Sequence, residues 1–330
     1  MFYLYSFLII FNLFFLFFFK SISLFFNIFD YPDKKRKFHK KKIANLGGVL
    51  IFINLLIFLL YFLFNEKYLV NPLILFGFEK FYILFIFCLL FFIIGILDDK
   101  FNLSANYKFL IFIILIYSLL HLDNSLLIKN VNFSFMQKPI NIEPVSFFFT
   151  VTSFLLFINA FNMFDGINLE SFFYTLFLLL VFIFKNVYLE LCVVLIISLI
   201  FFSFLNYKNK CFLGNNGSLL VAFIISYLSV KSVNVFSVFK ADEIFLLMFI
   251  PGIDLLRLVV LRILNHRHPF SPDRNHIHHI LLKKFTLSQT LIILILLIIL
   301  PNIVSLLFGF TIYLILISLI TYTVIIFRFR

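Results

Sequence analysis

Eleven long apolar stretches divide this chain, at about 3–28, 46–64, 81–97, 109–122, 146–163, 169–184, 187–204, 218–236, 243–263, 287–302 and 304–326. No other feature restricts the fold so strongly, because a helix needs about 20 apolar residues to cross the hydrocarbon core of a bilayer. With 63% of its residues hydrophobic and 13% charged, the chain has too little polar surface to cover a soluble domain. The expected fold is all-α: a polytopic integral membrane protein of about 11 transmembrane helices, in one membrane-embedded domain over residues 1–330. The stretch 169–184 is short, and the break at 302–304 is slight. The first run lacks a basic leader and a small-residue cleavage site, so it reads as a retained span rather than a signal peptide.

Net charge is +12. On a soluble protein that would suggest nucleic acid, but here Lys and Arg gather in particular loops. The segments after the first, third, fifth, seventh and ninth stretches, with the C-terminal tail, hold more than twice as many as the other loops. By the positive-inside rule these face the cytoplasm, which puts the N-terminus outside and the C-terminus inside. The polar clusters with chemical character then share the cytoplasmic side: RKFHKKKIANLGG (36–48), GILDDKFNLS (95–104), NAFNMFDGINLE (159–170), FLGNNGS (212–218) and NHRHPFSPDRNHIHH (265–279). The basic run over 34–42 is first an orientation signal and a contact for anionic lipid heads.

Asp98 and Asp99 close the third stretch. Carboxylates at a helix C-terminus oppose its dipole by about 0.3–1 kcal/mol, and ionisable residues at a membrane boundary are usually paired or functional. The plain alternative is an ordinary polar helix end. Asn159, Asn162 and Asp165 recur at i, i+3 and i+6 and so share one helix stripe. Three such oxygens suit a hard cation or sugar hydroxyls, although Asn in a membrane helix also serves as glue between helices. GNNGS reads as a tight turn before a helix that starts near Ser218. Its N–H groups could cradle a phosphate, or the serine could simply cap the helix.

Residues 265–279 hold five of the seven histidines: His266, His268, His276, His278 and His279. Membrane insertion requires none of them, so a metal site, a pH sensor and an anion-binding rim are the options. HIHH lacks the H-x-x-x-H spacing of zincins. Arg274 with His276, His278 and His279 reads better as a pyrophosphate clamp.

In this order, RKFH…LGG (36–48), GILDD…LS (95–104), NAFNMFDGIN (159–168), FLGNNGS (212–218) and PGIDLLRLVVLR…PFSPDRNHIHHILL (251–282) resemble the polyprenyl-phosphate N-acetylhexosamine-1-phosphate transferases, glycosyltransferase family 4. SPDRNHIHH is the most specific piece and looks like the branch that initiates O-antigen, enterobacterial common antigen and teichoic acid linkage synthesis. The resemblance implies that the phosphate of undecaprenyl phosphate attacks the β-phosphorus of a UDP-sugar, by default UDP-N-acetylglucosamine, and releases UMP. That would be the first membrane step of a cell-surface glycan, at the cytoplasmic face of a bacterial inner membrane. The implied cofactor is Mg²⁺, with Mn²⁺ as a substitute. The implied partners are a polyprenyl phosphate, a UDP-sugar and the membrane, with a homodimer as an option and no nucleic acid. Carried over residue by residue, Asp98, Asp99 and Asp165 would be catalytic. Asn159, Asn168, Arg274, His276, His278 and His279 would bind substrate, and Asp99, Asn162 and Asn215 would hold the metal.

Three positions depart from the family pattern. Asn215 stands where F-x-G-D-x-G-S places an aspartate, DGINLE lacks the second glycine of the usual DGxxGL, and Ala44 replaces a proline expected shortly before the paired glycines. Two rival readings follow. One is a weakened or inactive relative that binds lipid phosphate, for which Asn215 is the support. The other is an ion-coupled transporter, which calls for acids near mid-span and repeat symmetry. The acids here lie at span ends, and no repeat is visible.

Overall fold

The computed structural model describes residues 1–32, 41–64, 78–269, 271 and 273–329, so most of the basic run at 34–42 lies outside the described residues. Helices α1 (Phe2–Phe17) and α2 (Phe19–Phe26) are followed by strands β1 (Phe29–Asp30) and β2 (Ile43–Asn45). Next come α3 (Gly47–Phe64), α4 (Phe78–Phe101) and α5 (Ala105–Leu122), then a hairpin of β3 (Asn130–Val131) and β4 (Ile140–Asn141). Helices α6 (Ser146–Phe164), α7 (Glu170–Phe184) and α8 (Leu189–Tyr207) precede β5 (Cys211–Phe212). The chain ends with α9 (Gly214–Asn234), α10 (Ala241–Leu247), α11 (Phe249–Leu264), α12 (Ile277–Leu282), α13 (Leu287–Phe308) and α14 (Thr311–Phe329).

All eleven apolar stretches are largely helical, but the last break falls at Gly309–Phe310 rather than at 302–304, because α13 runs on through Pro301 to Phe308 and ends at Gly309, whose φ of 77° suits glycine. Among the described residues, eight helices are long and apolar enough to cross a membrane, or ten if each bent pair is one span. The bent pairs are α1–α2, at 77°, and α10–α11, at 75°. Helix α7 has 15 residues, about 22 Å of rise, and falls short of the hydrocarbon thickness. The protein is thus an all-α, multi-pass membrane protein.

Two compact units emerge, one of Met1–Asp123 with Leu178–Ile225 and one of Asn124–Phe177 with Ser226–Arg330. In the first, α1, α3 and α8 pack together. A reciprocal amide pair joins Asn12 and Asn54, Nδ2 to Oδ1 at 2.7 and 3.0 Å, fully buried between α1 and α3. Phe91 of α4 stacks on Phe223 of α9 at 4.6 Å between centroids. Strand β2 pairs with β1 antiparallel and with β5 in parallel, which ties the segment before α3 to the segment before α9. In the second unit α6 lies along α11, and α10 packs on α13 and α14. Asp242, in the first turn of α10, accepts from the Ser134 N–H at 2.8 Å and so fixes the hairpin to that helix.

Candidate active site

The first cluster belongs to the first unit. Helix α4 continues to Phe101, so Asp98 and Asp99 occupy its last turn, at the helix C-terminus as expected. Helix α9 starts at Gly214, four residues before the expected Ser218, because its cap comes from elsewhere in the chain. Asp99 Oδ1 accepts from the Asn215 N–H at 3.0 Å and from Asn45 Nδ2 at 3.2 Å. Asp99 Oδ2 accepts from the Asn216 N–H at 3.0 Å and from Asn216 Nδ2. Two carboxylates placed against the dipole of their own helix therefore include one placed in favour of another helix's dipole.

This approach needs glycine. A Cβ on Gly95, one turn before Asp99, would lie 2.3 Å from Asn216 Cα and 2.5 Å from the Asn215 carbonyl oxygen. On Gly48 it would lie 2.1 Å from Asn216 Oδ1 and 2.3 Å from the Gly217 nitrogen. The paired glycines, GILDD and GNNGS thus meet main chain to main chain. Asp98 turns to a different partner, Lys108 Nζ at 2.8 Å, in the first turns of α5 beyond the KFNLS turn. Asp98 is 3% exposed, and this ammonium is its ion-pair partner.

An ionised carboxylate offers about four lone-pair sites, and in Asp99 all are taken by N–H donors. In this arrangement Asp99 does not fit as a metal ligand, and Asn215 meets it only through the main chain. Among the described residues no group of three or more His, Cys, Asp or Glu is placed to hold a metal.

The second cluster belongs to the second unit. On α6, Asn159 is half-buried and returns its Nδ2 to the Leu155 carbonyl at 2.7 Å, four residues back. Asn162 lies one turn further along α6, but the helix ends at Phe164, so Asp165 leaves the expected stripe as its C-cap; both are half-buried, with Asn168 in the turn to α7. Leu169 sits at φ 67°, the left-handed region that glycine enters freely. The backbone conformation suited to the usual glycine is thus kept by a leucine, at a cost of roughly 1–2 kcal/mol. Gly166 is pressed by His278: a Cβ there would lie 2.1 Å from the ring's Nε2.

Asp254 of α11 anchors the histidine segment. It faces His276 Nδ1 at 2.8 Å and accepts from the Ile277 N–H at 3.2 Å, the Tyr322 hydroxyl at 2.7 Å and Arg257 Nη2 at 2.8 Å. Arg257 also donates to the Asn275 carbonyl at 2.6 Å, and Arg262 pairs with Asp273 at 2.9 Å. The expected clamp therefore divides. His276 and His278 are buried, Arg274 is exposed, and His279 is half-buried. Burial pulls His278 down to about 4, and burial with the neighbouring histidines and Arg274 pulls His279 to about 3.

A histidine held neutral in this way favours the fold fully above its ordinary value near 6.5, and that contribution is lost as pH falls toward about 4. Acidification from pH 7 to 5 is expected to remove about 2 kcal/mol through His278. Glu170, pushed up by burial beside the ring, acts in the opposite sense, so the His278 part is read as a difference: between pH 7 and 5 the melting temperature of wild type should fall relative to that of His278→Gln. An equal fall in the variant would refute the assignment.

Sequence reasoning missed Asn45, Lys108, Glu170, Asp254, Arg257 and Tyr322. Asp254 and Arg257 did carry a signal, two opposite charges at i, i+3 inside an apolar stretch. Tyr322 carried none.

Residues 81–233 match the model of glycosyl transferase family 4. The chain is 31% identical to an undecaprenyl-phosphate alpha-N-acetylglucosaminyl 1-phosphate transferase of Thermotoga maritima, over 81% of this chain and 77% of that one. A probable undecaprenyl-phosphate N-acetylglucosaminyl 1-phosphate transferase of Bacillus subtilis is 29% identical over 84% and 75%. The Salmonella typhi undecaprenyl-phosphate alpha-N-acetylglucosaminyl 1-phosphate transferase is 24% identical over 85% and 76%. With motifs, fold and relatives in agreement, the chain belongs to glycosyl transferase family 4, the polyprenyl-phosphate sugar-1-phosphate transferases.

Proposed function

We propose that this protein transfers N-acetylglucosamine 1-phosphate from UDP-N-acetylglucosamine to undecaprenyl phosphate, at the cytoplasmic face of a bacterial inner membrane. The observation that carries the reading is the Asp98–Lys108 pair, a buried acid held by an ammonium at the end of a membrane helix. Asp98 takes the proton of the lipid phosphate. A phosphate oxygen then bonds to the β-phosphorus, and the bond to the UMP oxygen breaks, with its electron pair leaving on UMP. Both reactants are polyanions, so most of the acceleration comes from positioning and charge neutralisation. Lys108 supplies positive charge beside Asp98 in the first unit, and in the second unit Arg274 is exposed to meet a phosphate.

Mg²⁺ supplies charge neutralisation on the diphosphate when bound. Asn162 in the last turn of α6 and Asp165 at its C-cap, both hard oxygen donors, are the residues suited to hold it. Asp165 contributes the negative charge that an amide lacks.

The test is transfer of labelled sugar phosphate to undecaprenyl phosphate by purified protein, with and without Mg²⁺. Asp98→Asn is the informative control, since Asp99→Asn would also uncap α9. Metal-dependent product that falls at least 100-fold in Asp98→Asn is expected. Product unchanged in that variant would overturn the role of Asp98. Asn215 favours a second reading, a weakened enzyme, for which Asn215→Asp is the discriminating variant. A large gain in rate would show that the site lacks a charge, and no gain would make Asn215 a tolerated change.

A further inference from the structure

Glu170 takes no part in the reaction above. It stands where the usual DGxxGL has leucine, and its side chain is 1% exposed, as is that of His278. A carboxyl group in such surroundings is costly unless it is paired. Its Oε2 accepts from the Gly166 N–H at 3.3 Å, across the turn between α6 and α7. Its Oε1 lies 3.2 Å from His278 Nδ1. The two atoms are not aligned as a hydrogen bond, and among the described residues neither has another hydrogen-bond partner. A small rotation of either side chain aligns them. The opposite edge of the ring rests on Gly166, where no Cβ would fit. His276 stacks parallel to the same ring, 5.5 Å between centroids at 9°. The segment carrying Arg274 and His279 is thus held by Asp254 at residues 276–277 and faces Glu170 at 278.

We propose that Glu170 is a positioning residue for His278: a proton shared between its Oε1 and the ring's Nδ1 fixes the imidazole, and with it the 273–279 segment, against the Asp165–Gly166 turn. The catalytic part rests on the transferase reading, whereas the proton-sharing part does not. Partners that orient a metal-ligating histidine typically change activity by roughly 10–100-fold when removed, and a loss of the same order is expected where the imidazole is held against substrate.

The experiment uses the full-length protein labelled with ¹⁵N-histidine in lipid nanodiscs, with the His278 signals identified by their loss in His278→Gln. Wild type is expected to show a proton on or shared with the Nδ1 of His278, and Glu170→Gln should shift that signal. Transfer by Glu170→Gln should show a kcat lowered roughly 10–100-fold, with KM for the UDP-sugar changed less than about threefold. Glu170→Leu, which restores the usual residue and loses no packing volume, should show the same kinetic loss. An unshifted His278 signal would overturn the proton sharing. A shifted signal with unchanged kcat in both variants would overturn the positioning role. Should wild type transfer no sugar from any UDP-sugar tried, the transferase reading fails, and the histidine signal still decides the pairing.

Discussion

Gly95→Ala is expected to destabilise the protein by about 3 kcal/mol or more and to abolish sugar-phosphate transfer. Overpacked cores ordinarily lose about 1–3 kcal/mol, because neighbouring side chains can rotate away. Here the three nearest obstacles are main-chain atoms, Asn216 Cα at 2.3 Å, the Asn215 oxygen at 2.5 Å and the Asn216 nitrogen at 2.6 Å. Only a shift of one whole helix relieves them. Such a shift also draws Asp99, one turn along α4, away from the N–H groups of Asn215 and Asn216. One methyl group therefore removes both a packing contact and a charge-assisted cap. Gly252→Ala is the matched control, since a Cβ there meets nothing within 4 Å. In the first turn of α11 it should be neutral or stabilising by at most about 0.5–1 kcal/mol. Thermal unfolding in detergent and the transfer assay decide the matter. Gly95→Ala with wild-type stability and activity would show that α4 and α9 do not approach as described.

The spans were legible because burying a helix in lipid imposes one rule on about 20 consecutive residues. The bends were less so. At Phe18 the sequence FLFFFKS offers no glycine or proline to mark a 77° break. At Met248 there is a hint, since Pro251 falls in the first turn of α11, where its missing N–H costs nothing. The site was legible as strings of residues but only partly as roles. Asp99 reads equally well as a ligand, a base or a cap, and Asn215 and Asn216, which decide among these, are 116 and 117 residues away. The leucine at 169 and the glutamate at 170 looked like one lost glycine. They are two changes, a retained left-handed backbone and a new buried acid.

Asp254→Leu should be the most damaging change in the second unit. Its carboxylate is 3% exposed and faces Arg257, His276, Tyr322 and the Ile277 N–H. Removing it leaves the Arg257 cation in a mostly buried site without its ion-pair partner, a change that typically costs about 3–5 kcal/mol. Tyr322→Phe removes one hydroxyl from the same network and should cost only about 1 kcal/mol. The double variant Asp254→Leu with Arg257→Leu separates stability from function. A buried pair replaced by apolar residues of similar volume is often neutral or stabilising, so folding should recover. Transfer should not recover, because neither Asp254 nor Arg257 would then hold residues 275–277, and Arg274 and His279 would lose their fixed positions. A double variant that regains both stability and transfer would mean that this network supports the fold alone, and that the histidine segment finds its place without it.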